Sequence, residues 1–122
     1  MPIALKRAYE PPAAADGYRV LVDRLWPRGL RRDAAQLDDW LKEAAPSEGL
    51  RRWFHAHPAQ WGEFRRRYLT ELKSQRETLR RLARHAQWDR VTLVYAASDR
   101  QHNNAVVLRQ YLALLKVEDA AG

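Results

Sequence analysis

The stretch VTLVYAASDRQHNNAVVL, residues 91–108, opens as a buried strand, passes through a polar knot and ends as the apolar face of a helix. The opening Val-Thr-Leu-Val-Tyr is short, apolar and rich in β-branched residues, the composition of a strand covered on both faces. Ala105, Leu108, Tyr111, Leu112 and Leu115 then recur at three- and four-residue intervals, predicting a helix over about residues 100–116. A strand leading into a helix in this way points to an α/β domain.

Working outward, two more strand signals precede it. IALKR (3–7) and YRVLVDRL (18–25) are short and bounded by turn residues, and the second is rich enough in Val and Leu to lie inside a sheet. Between them YEPPAAADGY (9–18) reads as a loop, because Pro11, Pro12 and an Asp-Gly pair interrupt any regular element. Pro27 and Gly29 in WPRGLRRDAAQ forbid continuing the second strand. LDDWLKEAAPSEGL (37–50) is open: Leu37, Trp40, Leu41 and Ala44 have helical spacing, yet the segment is short and Pro46 follows. A short helix over 47–54 is predicted next, with Ser47 as its N-cap. The clearest element is a helix opening at Pro58, with Trp61, Phe64, Tyr68, Leu72, Leu79, Leu82 and Ala86 as its apolar stripe and Arg65, Arg66, Arg67, Lys73, Arg76, Arg80, Arg81 and Arg84 mainly elsewhere. Glu63 with Arg67 and Glu77 with Arg81 add i,i+4 pairs.

Composition bounds the function. A chain of 122 residues, 46% hydrophobic and with five tryptophans, suits a small single domain spanning 1–122 with a packed core. No repeat or low-complexity segment interrupts it. MPIALKRAYEPP has no signal-peptide core and no run approaches membrane-spanning length, so a cytoplasmic protein with no membrane partner is expected. The absence of cysteine removes disulfides, thiolate metal sites and thiol nucleophiles. A formal net charge of +7 and a pI near 10.2 invite a nucleic-acid partner. The arginine-plus-alanine bias is also what a GC-rich genome produces, and FRRRY and LRRLARH fit a solvated helix face as well as a phosphate-tracking ridge.

The knot itself divides in two. Ser98 with Gln101 three residues on matches a capping box, and Asp99 in a first turn suits the positive end of the helix dipole. His102, Asn103 and Asn104 are left over, since three residues of low helix propensity gain nothing there. They fit either a surface hydrogen-bond network or the crevice at the carboxyl end of a parallel strand, where α/β sheets hold ligands. With parallel strands, DRLWPRG reaches the same edge. Asp23 would stand there, with Arg24 and Arg28 able to clamp a carboxylate or phosphate and Trp26 able to stack on a planar group; the structural alternative is an Asp23–arginine ion pair with Trp26 plugging the core.

Other chemistry is thinly supported. His55 and His57 have no accompanying ligand set, so no metal is expected; no glycine-rich phosphate loop or cofactor motif is present, and no cofactor is expected. Ser98, Asp99 and His102 are triad residue types, but neighbours on one turn rarely reach triad geometry.

YRVLVDRLWPRG, WFHAHPAQWGEFRRRYLTEL and VTLVYAASDRQHNNAVVL together resemble the YeaO-like branch of the family called domain of unknown function 488, small bacterial cytosolic proteins. The resemblance runs over nearly the whole chain. It implies a Rossmann-like sheet, short, largely parallel and flanked by helices, and it matches the family pattern at Asp23, Arg24, Trp26, Pro27, Arg28, Gly29, His102 and Asn103. It brings no established activity with it. Where many relatives have Gly-His-Asp-Pro, this chain has His55, Ala56, His57 and Pro58; related branches also carry a cysteine near the knot, which this chain lacks. Two readings follow. One is a site for an anionic, phosphate- or nucleotide-like small molecule, with Arg24 and Arg28 as charge partners, Trp26 as stacking surface, Ser98, Asn103 and Asn104 as polar contacts, and His102 and Asp23 as candidate acid–base groups. The other is a nucleic-acid-binding or regulatory module using the arginine-rich helix 58–86.

Overall fold

The computed structural model describes the backbone of residues 3–121 and the side chains of residues 3–115. Four strands, β1 (Ile3–Arg7), β2 (Tyr18–Leu21), β3 (Asp39–Trp40) and β4 (Val91–Tyr95), form one all-parallel sheet in the order β1-β4-β2-β3. The fold is α/β. β4, read from its sequence as buried, lies inside the sheet, with Leu5 and Val20 on either side of Leu93.

Strand alternation sorts the side chains into two layers. Val20, Val22, Val91, Leu93 and Tyr95 join the main core beneath α2 (Glu48–Ala56), α3 (Trp61–Lys73), α4 (Arg76–Trp88) and α5 (Asn104–Ala121). Leu21 and Val94 turn the other way. They meet Ala8, Trp26, Leu30, Leu37 and Trp40, so the second face is covered by the β2–β3 connection, which includes the single-turn α1 (Arg32–Ala35).

Glycine is required where β2 begins. Gly17 has φ +65°, and a Cβ there would lie 2.3 Å from Arg90 O, the carbonyl that accepts Tyr18 N–H at 2.7 Å. Pro27 and Gly29 form the predicted turn, with Leu30 N donating to Pro27 O at 3.2 Å and Gly29 at φ +77°.

Ser47 caps α2 as predicted, accepting from Leu50 N at 3.2 Å. The segment 37–50 contains the two-residue β3 and a 3-10 turn at Lys42–Ala44.

Three expectations are corrected. The single helix 58–86 is two helices, because Ser74 Oγ donates to Glu71 O and the chain tightens there, with Gln75 N on Leu72 O. Its apolar stripe survives the break: Phe64, Tyr68, Leu72, Leu79, Leu82 and Ala86 are all buried, with Trp61 packed against them. Pro58 does not open α3; it follows the closing turn of α2, where His57 N reaches Trp53 O and Phe54 O, and α3 begins at Trp61. The helix after β4 begins at Asn104 rather than near residue 100, for a reason visible in the knot.

Candidate functional site at the carboxyl edge of the sheet

Because β2 and β4 run parallel in register, their carboxyl ends stop side by side, and the loops that follow them meet. Asp23 is the joint. Its Oδ2 accepts Ala96 N–H at 2.9 Å and its Oδ1 accepts the Asn104 side-chain amide at 3.1 Å, while the same amide donates to Val22 O at 2.9 Å. Trp40 Nε1 donates to Asp23 O at 2.7 Å, tying β3 to the same point. Burial pushes the Asp23 carboxyl above its ordinary range, outweighing the two donors that favour its charge. Tyr68 is fully buried nearby with its hydroxyl on Ala44 O, and burial together with the Asp23 charge raises its pKa well above the phenolic value.

The knot is an Asx turn followed by a cap. Asp99 Oδ1 accepts both Gln101 N and His102 N at 2.9 Å, and these bonds hold its pKa down. Asn103 then starts α5: its Oδ1 accepts Val106 N–H at 3.1 Å and its Nδ2 donates to Asp99 O at 2.9 Å. The Ser98–Gln101 capping box is therefore absent, replaced by Asn103, and Asp99 lies in the turn before the helix. Buried, with both ends of its amide bonded, Asn103 holds the loop together. Ser98 is exposed.

His102 sits on the outside of this turn, with Nδ1 3.3 Å from Asp99 Oδ2 and its ring 5.0 Å from that of Trp61. Half of its side chain is open to solvent. Arg24 is held by its Nε, which donates to Pro46 O at 3.0 Å. The terminal nitrogens of Arg24 and the guanidinium of Arg28 donate no hydrogen bond among the described residues. Trp26 takes the core position: its Nε1 donates to Leu30 O at 2.7 Å, its ring meets Trp40 edge-on at 5.4 Å, and Arg32 lies 4.4 Å over its face. No arginine pairs with Asp23 among the described residues.

The end of β1 completes the edge, which the sequence did not signal. Arg7 donates to Ala97 O at 2.8 Å and Ala96 O at 3.2 Å, while Glu10 accepts Arg7 N at 2.7 Å and pairs with Arg100 at 3.2 Å. Tyr9 donates its hydroxyl to Arg28 O at 2.8 Å. Arg7 and Glu10 lie 89 and 90 positions from their partners on the knot, and nothing local announces such contacts.

Two open clefts lie elsewhere. One, of about 360 Å³, is lined by Ser47, Leu50 and Trp53 of the α2 side and by Arg66, Arg67 and Glu71 of α3. Its polar groups are already mutually engaged: Glu71 accepts from Ser47 N and Oγ, and Arg66 and Arg67 share Glu63, whose carboxyl they hold down at about 2. The other, of about 540 Å³, opens beside Arg19. That guanidinium is buried and donates to Asp16, Ala35 O and Gln36 O at 2.7, 2.9 and 3.2 Å.

Comparison with known proteins agrees with the sequence resemblance. A family model described as the inactive DUF488-N3 subclade matches residues 2–121. The chain belongs to that DUF488 family. Among its curated relatives is the uncharacterized protein YeaO of Escherichia coli (strain K12), 44% identical over 115 residues that cover 94% of this chain and 100% of YeaO. The uncharacterized protein Rv3073c of Mycobacterium tuberculosis is 39% identical over 110 residues, covering 90% of this chain and 92% of its own. No solved structure matches. Among the described residues no helix is long and apolar enough to cross a membrane.

Proposed function

We propose that this DUF488 protein binds a small anionic molecule, of phosphate or nucleotide type, at the carboxyl edge of its sheet. The observation that carries the reading is the Asp23 joint, which fixes two loops against each other while the terminal nitrogens of Arg24 and the Arg28 guanidinium keep free donor capacity and the exposed His102 ring stands beside them on the knot. The joint is stiffened from both sides, so little ordering cost falls on binding. In this reading Arg24 and Arg28 meet the negative charge, His102 and Ser98 supply further hydrogen bonds, and the amide oxygen of Asn104 accepts from a hydroxyl. Trp26 and Asn103 act indirectly, by holding the two loops in shape. Asp23 belongs to the frame, and the family's description as inactive favours binding without turnover.

The test is a thermal-shift screen at low and moderate salt against inorganic phosphate, sugar phosphates and mononucleotides. A ligand at about 100 times its Kd stabilises by about 2.7 kcal/mol, a shift of several degrees. That shift disappears in Arg24→Ala/Arg28→Ala and shrinks in His102→Ala. No stabilisation by any of these anions, or stabilisation unaffected by those substitutions, overturns the reading.

A further inference from the structure

At the opposite end of the sheet α4 carries a surface that its packing does not explain. Leu79, Leu82, Ala83 and Ala86 are buried and define its inner face. At 100° per residue, Glu77, Arg81, Arg84 and Trp88 lie together on the side diametrically opposite. Trp88 is 86% exposed, which is exceptional for the largest apolar side chain and cannot be a core position. The charges around it are unbalanced. Glu77 is paired by Arg80 at 3.5 Å and Asp89 faces His85 at 3.6 Å, whereas Arg81 and Arg84 have no carboxylate partner among the described residues. The free charge on this stripe is therefore positive, and it is arginine.

We infer that this outer face of α4 is a binding surface for single-stranded nucleic acid, on which an unpaired base stacks on Trp88 and the flanking phosphates meet Arg84 and Arg81. Each group has the chemistry for its part. An indole stacks on any base that has no neighbour covering it, and guanidinium forks grip phosphate oxygens bidentately. The helix sets the spacing: Arg84 is about 6 Å and Arg81 about 10 Å along the axis from Trp88, on the same side of the helix as the indole and within reach of the backbone flanking a stacked base. A bilayer fits the face poorly, because Trp88 is its one apolar residue and an interfacial helix needs an apolar stripe. A protein interface fits poorly for the same reason, since it needs an apolar core ringed by polar groups. Trp88 stands three residues before Val91, at the amino end of β4, so this surface is separate from the carboxyl edge.

The test is fluorescence anisotropy of a labelled short oligothymidylate with the intact protein, between about 50 and about 200 mM salt. Binding is expected at the lower salt. Trp88→Ala weakens it roughly ten-fold with an unchanged melting temperature, while Trp88→Phe retains most of it. The double variant Arg81→Ala/Arg84→Ala lowers the slope of log affinity against log salt by about 1.4, at about 0.7 per lost phosphate contact on a single strand. Failure to bind the oligonucleotide at the lower salt overturns the inference, as does binding that Trp88→Ala leaves unchanged. Trp88-dependent binding to anionic phosphatidylserine vesicles in its place overturns it in favour of a membrane surface.

Discussion

Two aspartates respond to pH in opposite directions. Asp16 is desolvated, but Ala13 N–H, Lys6 and Arg19 outweigh that penalty and pull its pKa below the ordinary value. The folded chain therefore binds this proton more weakly than the unfolded chain, and the stability tied to Asp16 is present above the unfolded pKa of about 4 and lost as pH falls through the folded one. Asp23 has the reverse sign: burial raises its folded pKa, so its contribution is greatest below the unfolded value and declines as pH rises through the folded one. Urea titrations at several pH values should separate them, with Asp16→Asn flattening the acid limb and Asp23→Asn flattening the decline at higher pH. An acid limb unchanged by Asp16→Asn would contradict the assignment. Truncation costs more than neutralisation. Asp23→Ala leaves Ala96 N–H without its acceptor and the Asn104 amide with Val22 O alone, and should lower stability by about 1–3 kcal/mol; Arg19→Met leaves Asp16 with Lys6 and Ala13 N–H only, takes the donors from Ala35 O and Gln36 O, and should also cost about 1–3 kcal/mol.

At the scale of elements, the residue that starts α5 decides how the knot is read. Asn103→Ala removes a cap and should cost about 1 kcal/mol; Ser98→Ala removes no bond among the described residues and should stay within about 0.5 kcal/mol of wild type. Equal losses in the two variants, measured by chemical denaturation, would restore the capping box. The sequence misled here because Ser98 and Gln101 have the right spacing, and spacing carries no information on which of several polar residues the backbone finds first. The three strand cores, the Ser47 cap and the Pro27–Gly29 turn were legible because each is written in a few adjacent residues whose chemistry permits little else. The break at Ser74 was not, since it has neither proline nor glycine and depends on a serine hydroxyl turning back to Glu71 O. β3 was ambiguous for a related reason: two residues are too few to show a period, and it exists because the edge of β2 offers Leu21 O to Leu41 N and Asp38 accepts Arg19 N.

The whole molecule places different chemistry at its two ends. Parallel strands bring both sequence-flagged loops to the carboxyl edge, so their meeting followed once the sheet was read as parallel; that Asp23 is bonded by an amide and a backbone N–H rather than an arginine did not. Arg7, Tyr9 and Glu10 also reach that edge, but only through contacts with distant parts of the chain. On the proposed function, this edge, with its free arginine donors, takes up a small anion. Backbone amide NMR of the intact protein, titrated with a mononucleotide and, separately, with inorganic phosphate, locates that uptake residue by residue. Saturable shifts are expected, concentrated in residues 23–28 and 96–104 and abolished in Arg24→Ala/Arg28→Ala. Shifts confined to α4, to the Arg19 cleft or to the α2–α3 cleft, or no saturable shift at all, would contradict it.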